Sequence, residues 1–361
     1  MPTRAETNAR ASALRAGFEA AGAVAVEPPI LQPAGALLDL YGEDIRARAY
    51  VTSDPLRGEQ MLRPDFTVPV VQMHMAGGAE PARYTYAGEV FRRQEDDAAR
   101  ANEYVQVGYE VFDRADPAGA DAEVFARIAG ALAHVPTRAV VGDVGLLMAA
   151  VEGLSTTETR KAALRRHLWR PRRFRQLLEM FAGRIASPPT RAALLRGEIE
   201  TQAPHVGKRR GAEIEARINA LRIDARAPAL DAREVDLIEG LLDIAMPLPD
   251  ALSRLHDLCV DMPAISGAVE GLDARRGALE TRGVDVRALT FEASYGRTSM
   301  EYYDGFVFGL RAEARPDLPP LATGGRYDAL TRRLGAGAEI PAVGGVMRPG
   351  PLIEVEEAAT C

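Results

Sequence analysis

Cysteine is almost missing from this chain, with Cys259 and Cys361 the only two in 361 residues. Two cysteines this far apart imply neither a disulfide framework nor a thiolate metal site. The five histidines, at 74, 134, 167, 205 and 256, show no ligand spacing, so no metal and no cofactor are expected. No apolar run approaches a membrane span, and the opening MPTRAETNARASALRAGFEAAG lacks the apolar core of a secretory signal. A cytoplasmic protein is the default expectation. Net positive charge is lacking as well: 44 Lys and Arg against 51 Asp and Glu leave −7, which argues against broad coating of nucleic acid. What is present is ordinary for a soluble globular protein, 47% hydrophobic and 26% charged residues. The length allows a sizeable core and favours about two domains.

The most informative stretch is Arg83 to Asp113, RYTYAGEVFRRQEDDAARANEYVQVGYEVFD. It reads as two strands joined by a charged loop. Val105, Val107, Tyr109 and Val111 alternate with Gln106, Gly108 and Glu110, the period that sends side chains to opposite faces of a sheet. Gly108 between an amide and a carboxylate predicts a shallow space suited to a ligand with hydrogen-bond donors. Arg92 ends the first run, where a guanidinium can fork onto a carboxylate or phosphate. The competing reading is an ordinary hairpin with one solvated face.

The rest of the chain supplies partners for this hairpin. Residues 3 to 21 read as a helix. The run AVAVE then stops at Pro28 and Pro29, which puts it at a sheet edge or a subunit contact. Residues 48 to 62 suggest a hairpin leading into LRPDFT, where Arg63, Asp65 and Thr67 share strand parity. The alternative is a helix N-terminus capped by Asp65 or Thr67. Residues 121 to 135 read as a helix and 138 to 147 as a buried strand. From about 148 to 281 the pattern turns mostly helical, an expected insertion. Within it, RKAALRRHLWRPRRFRQ (160 to 176) carries eight Lys or Arg residues and no acid. Such a cluster suits nucleic acid, a phosphorylated substrate or an acidic partner, or else forms a solvated face that pairs with acids elsewhere. Strand character returns at 287 to 296 and 301 to 313, where Tyr303, Gly305, Val307 and Gly309 are expected on one face. GGRYDAL leads into a helix, and IPAVGGVMRPG is the last strand-like run, with nothing folded expected after it.

In order and spacing these motifs resemble the catalytic core of histidyl-tRNA synthetase, a class II synthetase, over most of the chain outside its helical middle. The first class II motif's edge proline is similar to Pro29, and LRPDFT resembles the family's LRPEGT. QVGYEVF resembles Q-x-G-x-E-V-F, YYDGFVF resembles YY-x-x-x-VF, and GGRYDAL resembles GGRYDGL. The resemblance implies an α+β fold, a class II antiparallel sheet flanked by helices, with a core of residues 1–147 and 282–361 and a mainly helical insertion at 148–281. It implies a histidine pocket in which Asp65 faces the ammonium, Thr67 and Gln106 complete its hydrogen bonds and Arg92 takes the carboxylate. Glu110, Tyr303 and Tyr327 are then left for the imidazole.

Departures from the synthetase pattern bear on activity. Thr298 stands where RGLDYY carries an arginine, and Arg297 is one place off. Pro351 stands where the third motif ends in an adenine-stacking arginine, with Arg348 three residues earlier. Asp96 and Asp97 bring acids to a loop that is usually basic. An anticodon-binding domain is not expected. A core that keeps the histidine-binding residues but not the ATP-binding arginines resembles the regulatory subunits of ATP phosphoribosyltransferase. That resemblance implies a non-catalytic chain in hetero-oligomer with the short-form catalytic subunit, needed for the first step of histidine biosynthesis, with L-histidine as effector. It also implies a self-dimer through the first motif and no aminoacylation. Two other readings stay open, an adenylate-forming synthetase paralogue and an RNA-binding module that uses residues 160 to 176.

Overall fold

The computed structural model describes residues 2–35, 47–94, 100–186, 188–198, 207, 210–297 and 302–360. Asp96, Asp97 and Thr298 therefore lie outside the described residues.

Helix α1 (Arg4–Ala20) opens with a capping box, in which Thr3 and Glu6 bond to each other's backbone N–H groups. It packs behind the central hairpin, with Phe18 against Tyr109 at a ring-centroid distance of 5.1 Å. Strand β1 (Val24–Ala25) lies at the edge of the main sheet, and the prolines at 28 and 29 follow it after Val26 and Glu27. Strands β2 (Leu31–Pro33), β3 (Val51–Asp54) and β4 (Gly58–Leu62) make a separate sheet in the order β2-β4-β3, and helix α2 (Thr67–Met75) follows.

The main sheet has nine strands among the described residues. Its hairpin is β5 (Ala82–Phe91) and β6 (Glu103–Phe112). The others are β7 (Thr137–Asp143), β8 (Ala245–Pro247), β9 (Thr290–Glu292), β10 (Phe306–Ala312), β11 (Ala322–Arg326) and β12 (Ala342–Met347). Their order is β1-β5-β6-β12-β11-β10-β7-β9-β8, antiparallel except where β1 meets β5 and β7 meets β9. Both faces of the hairpin are buried. Val105, Val107, Tyr109 and Val111 join the larger apolar cluster, together with helix α3 (Pro117–Ala131). On the opposite face Tyr86 and Phe112 join a second cluster with Phe66, Val68, Tyr302, Tyr303 and Tyr327. The reading of a solvated face fails, because Gln106 and Glu110 are 1% and 0% exposed.

Several boundaries differ from the sequence reading. The 138–147 strand stops at Asp143, whose carboxylate accepts from Gly145 N at 2.8 Å and caps helix α4 (Val144–Glu152). Strand character at 287–296 shrinks to three residues, and that at 301–313 begins only at Phe306. Tyr302 and Tyr303 precede the strand, so parity does not separate them, and both enter one cluster. Helix α12 (Asp328–Leu334) follows GGRY as expected, and residues after 350 do fold: Pro349 opens helix α13 (Pro349–Thr360), a position where the missing N–H costs nothing.

Within 148–281 lie α5 (Glu158–Arg166), α6 (Pro171–Phe181), α7 (Pro189–Arg196), α8 (Gly211–Ala225), α9 (Ala232–Leu242), α10 (Leu248–Asp261) and α11 (Ser266–Thr281). Arg275 of α11 is buried and donates to Asp121 of α3 at 2.7 Å and to Asp143 at 2.8 Å. Arg326 donates to Asp121 as well, at 2.7 Å. A buried charge network thus ties α11 to α3, β7 and β11. No described helix is long and apolar enough to cross a membrane, and no metal-holding group of His, Cys, Asp and Glu occurs among the described residues.

Candidate functional site

Glu110 is the centre of the polar cluster. It sits mid-strand on β6, fully buried, opposite Tyr84 of β5 and Gly344 of β12. Its carboxylate lies over Gly344, where a Cβ would meet Glu110 Oε2 at 1.4 Å, so any side chain there would have to push the carboxylate off its place. Three hydroxyls donate to it: Thr67 at 3.1 Å and Tyr86 at 2.7 Å to Oε1, and Tyr327 at 2.6 Å to Oε2. Burial pushes its carboxyl up to about 7, against the opposing pull of those hydrogen bonds. The Tyr86 and Tyr327 hydroxyls are held well above the usual phenol range, first by burial and then by the Glu110 charge.

Gly108 does not leave the expected space. The Tyr86 ring fills it, since a Cβ on Gly108 would lie 2.1 Å from Tyr86 Cζ. Across the hairpin Tyr86 is paired with Gly108, and its ring stacks on Phe66 with centroids 4.2 Å apart. Gln106 lies four residues along β6 from Glu110, about 13 Å of strand. Its Oε1 is buried without a hydrogen-bond partner among the described residues.

Asp65 and Thr67 reach the cluster by a turn and a helix start rather than by strand parity. Asp65 is 2% exposed, accepting from Tyr302 Oη at 3.2 Å and more loosely from Val68 N at 3.4 Å. Thr67 is the first residue of α2, and neither it nor Asp65 is the cap; Phe66 occupies that position. Arg63 goes elsewhere, donating to Pro28 O at 2.6 Å and Glu89 O at 2.8 Å while its guanidinium covers the Phe66 ring. Tyr303 packs against Tyr302 with ring centroids 5.0 Å apart and over Gly325. Burial, then Glu110 and Asp65, raise its hydroxyl pKa, yet that hydroxyl makes no hydrogen bond to a described residue.

Arg92 stands at the border between this cluster and a cleft of about 730 Å³. Its Nε donates to Pro64 O at 2.6 Å, and its charge acts on both Tyr303 and Arg348. The cleft is also lined by Arg48, Arg100, Tyr104, Arg348 and Pro351, and none of the other six residues expected to hold histidine borders it. Arg348 donates to Pro320 O at 2.8 Å and Thr323 Oγ1 at 3.1 Å; burial, with Arg92 adding to it, lowers its pKa. Arg297 points away from the cluster altogether, to Leu168 O at 2.8 Å.

The chain matches the histidyl-tRNA synthetase family over residues 1–223 and 216–352. It is 33% identical over 355 residues to the ATP phosphoribosyltransferase regulatory subunit of Brucella canis, covering 92% of this chain and 93% of that protein. The chain belongs to the ATP phosphoribosyltransferase regulatory subunit family. Solved structures share its fold. One is the ATP phosphoribosyltransferase regulatory subunit/histidyl-tRNA synthetase from Bacillus halodurans, with TM-score 0.68, 20% identity and coverage of 97% of this chain and 79% of that one. Another is the histidine–tRNA ligase subunit from Alicyclobacillus acidocaldarius, with TM-score 0.62, 24% identity and coverage of 100% and 96%.

Against this regulatory-subunit background, five of the seven expected residues converge: Asp65, Thr67, Glu110, Tyr303 and Tyr327. Arg92 flanks them and Gln106 lies further along the same strand face. Sequence reasoning missed Tyr86 and Tyr302, which hold the two carboxylates. Tyr302 was visible as the first member of the YY pair. Tyr86 shares strand parity with Tyr84 and Gly88, but nothing local marks it as the residue above Gly108.

Proposed function

We propose that the chain is a non-catalytic regulatory subunit that assembles with the short-form ATP phosphoribosyltransferase catalytic subunit in the cytoplasm and makes that complex both active and sensitive to L-histidine. The observation that carries this reading is the likeness to regulatory subunits along nearly the whole chain. In the pocket Asp65 takes the ammonium, with Thr67 and Gln106 completing its hydrogen bonds. Arg92 takes the carboxylate. Glu110 and Tyr303 meet the imidazole, and Tyr327 keeps Glu110 in place by its 2.6 Å bond. The free Tyr303 hydroxyl and the unpartnered Gln106 Oε1 support this, because both have hydrogen-bonding capacity unused by the described residues. Histidine then regulates by binding one arrangement of the complex more tightly than the other, and a coupling of about 1 to 3 kcal/mol suffices.

A self-dimer through the first class II motif belongs to the same proposal. A groove of about 420 Å³ runs along Val26 to Pro33 and the α2 residues Pro69, Gln72 and Met73. Beside it Ile30, Leu31 and Met73 are 42%, 51% and 40% exposed, an apolar surface of the kind that a subunit contact covers.

Absence of aminoacylation is supported by Pro351 at the position of the adenine-stacking arginine and by Arg297 facing Leu168. The cleft beside Arg92 and Arg348 is the one feature that favours an adenylate-forming paralogue instead. Histidine-dependent exchange of pyrophosphate into ATP by the isolated chain distinguishes that alternative. Mixing the chain with a catalytic subunit and measuring phosphoribosyl-ATP formation tests the main reading.

A further inference from the structure

The sheet face that carries Glu110 runs on into the cleft. On β12 Gly344 lies opposite Glu110 and Val346 opposite Gly108, and on β11 Gly325 and Thr323 lie opposite Gly344 and Val346. Arg348 comes two residues after Val346, and its backbone N–H donates to Leu321 O at 2.8 Å, so the β11–β12 ladder continues through it. The strand period therefore puts the Arg348 side chain on the Glu110 face, and its bond to Thr323 Oγ1 at 3.1 Å agrees with that direction. Tyr303 covers Gly325 on the same face, and Gln106 and Tyr104 continue it along β6.

Arg348 is a half-buried cation at the open end of this track. It lines the cleft of about 730 Å³ together with Arg92 and Tyr104. Its side-chain bonds go to two neutral oxygens, Pro320 O and Thr323 Oγ1, and it makes no ion pair with any described residue. Acids of the cleft are engaged elsewhere: Glu89 and Glu103 lie 2.7 and 3.3 Å from Arg4, and Asp317 lies 2.6 Å from Arg315. Glu354, which also lines the cleft, does not figure among the groups that act on Arg348, whereas Arg92 does, and both arginines act on Tyr303. Two guanidiniums thus lie within electrostatic reach of one pocket tyrosine and border one cavity. A cation drawn out of water is normally paired, and the partner of Arg348 is absent from the described residues.

Resting on the histidine-sensing reading above, we propose that Arg348 joins Arg92 in a two-guanidinium seat for the effector's α-carboxylate, and so makes the pocket select a free amino acid over its alcohol. Arg92 follows the end of β5 and Arg348 the end of β12. A carboxylate held between them accepts charge-assisted hydrogen bonds from both and offsets their mutual repulsion, which a hydroxymethyl group cannot do. An imidazole held by Glu110 and Tyr303 directs the rest of the molecule along the track toward these cations. If Arg348 served only to tie β12 to residues 320–323, its loss would not discriminate between ligands.

Calorimetric titration of the full chain with L-histidine and with L-histidinol, in which a hydroxymethyl group replaces the carboxylate, tests this seat. The parent should bind L-histidine at least about tenfold more tightly than L-histidinol. Arg348→Gln removes the charge but keeps an amide donor for Pro320 O; it should weaken L-histidine about tenfold and change L-histidinol by less than about twofold. If that variant does not fold, Thr323→Val carries the test, because it removes the 3.1 Å anchor of the guanidinium. It should weaken L-histidine several-fold and leave L-histidinol unchanged. Equal losses for both ligands, or an unaltered L-histidine affinity, would overturn the role of Arg348 while leaving the histidine pocket standing. No binding of L-histidine by the parent would instead remove the pocket, and this seat with it.

Discussion

Tyr86 stands over Gly108 so closely that a single added methyl would lie 2.1 Å from its ring, and its hydroxyl reaches Glu110 at 2.7 Å. The pair works as one unit. Gly108→Ala should displace the ring, break the bond to Glu110 and cost about 1 to 3 kcal/mol by overpacking. Adding Tyr86→Ala to Gly108→Ala should relieve the clash, so the double variant should be more stable than the sum of the two single losses implies. Urea unfolding of the four proteins measures that coupling; strictly additive losses would mean the two residues do not touch.

Glu110 gives a pH signature. Its carboxyl titrates near 7 in the folded chain, above the ordinary 4.5. A raised folded-state value means that its contribution to stability is full below about 4.5 and is lost as pH rises through about 7. Glu110→Gln lacks this titration. As pH rises across that window, the stability of the variant relative to the parent should therefore improve by about 3 kcal/mol, at about 1.36 kcal/mol for each pH unit. Denaturant midpoints at the two ends of the window provide the comparison, and a pH-independent difference would contradict a buried carboxyl that titrates there.

Two tyrosines that look alike in sequence should behave oppositely. Tyr327→Phe removes a 2.6 Å bond to buried Glu110 and should cost about 1 to 3 kcal/mol of stability. Tyr303→Phe removes a hydroxyl with no partner among the described residues and should leave stability within about 0.5 kcal/mol. Calorimetric titration with L-histidine should nevertheless show Tyr303→Phe binding about tenfold more weakly, the loss of one hydrogen bond. Unchanged histidine affinity in Tyr303→Phe would remove that residue from the pocket.

The first-motif surface is tested by charge. Leu31→Glu places a carboxylate in the exposed apolar patch beside the Val26–Pro33 groove. The parent is expected to sediment as a dimer at micromolar concentration and the variant as a monomer with an unchanged far-UV spectrum. A monomeric parent would refute the dimer.

The alternation from Val105 to Val111 was legible because a strand period shows itself within one segment, and it correctly separated the two faces. What occupies those faces was not legible. Tyr86 over Gly108 depends on the cross-strand register of a hairpin whose loop length decides the pairing, and Tyr327 reaches Glu110 from 217 residues away. Motif order named Asp65 and Thr67 together, whereas strand parity wrongly grouped Arg63 with them, since a turn and a helix start replace the expected strand. The missing solvated face follows from α2 and the Tyr302 to Tyr327 region covering it, a tertiary fact that no local pattern carries. Arg297 illustrates the same limit. It stands one place from the position of the synthetase arginine, and only the fold shows its side chain turning to Leu168 in the helical segment.

The most direct test of the regulatory reading is the rate of phosphoribosyl-ATP formation by a short-form catalytic subunit, with and without this chain, at rising L-histidine. The chain should raise the rate well above that of the catalytic subunit alone. Histidine should then suppress the stimulated rate, with Tyr303→Phe shifting the half-inhibitory concentration upward by about tenfold, as its weaker binding requires. A rate unaffected by the chain, or inhibition identical in the parent and in Tyr303→Phe, would contradict a histidine-sensing regulatory subunit.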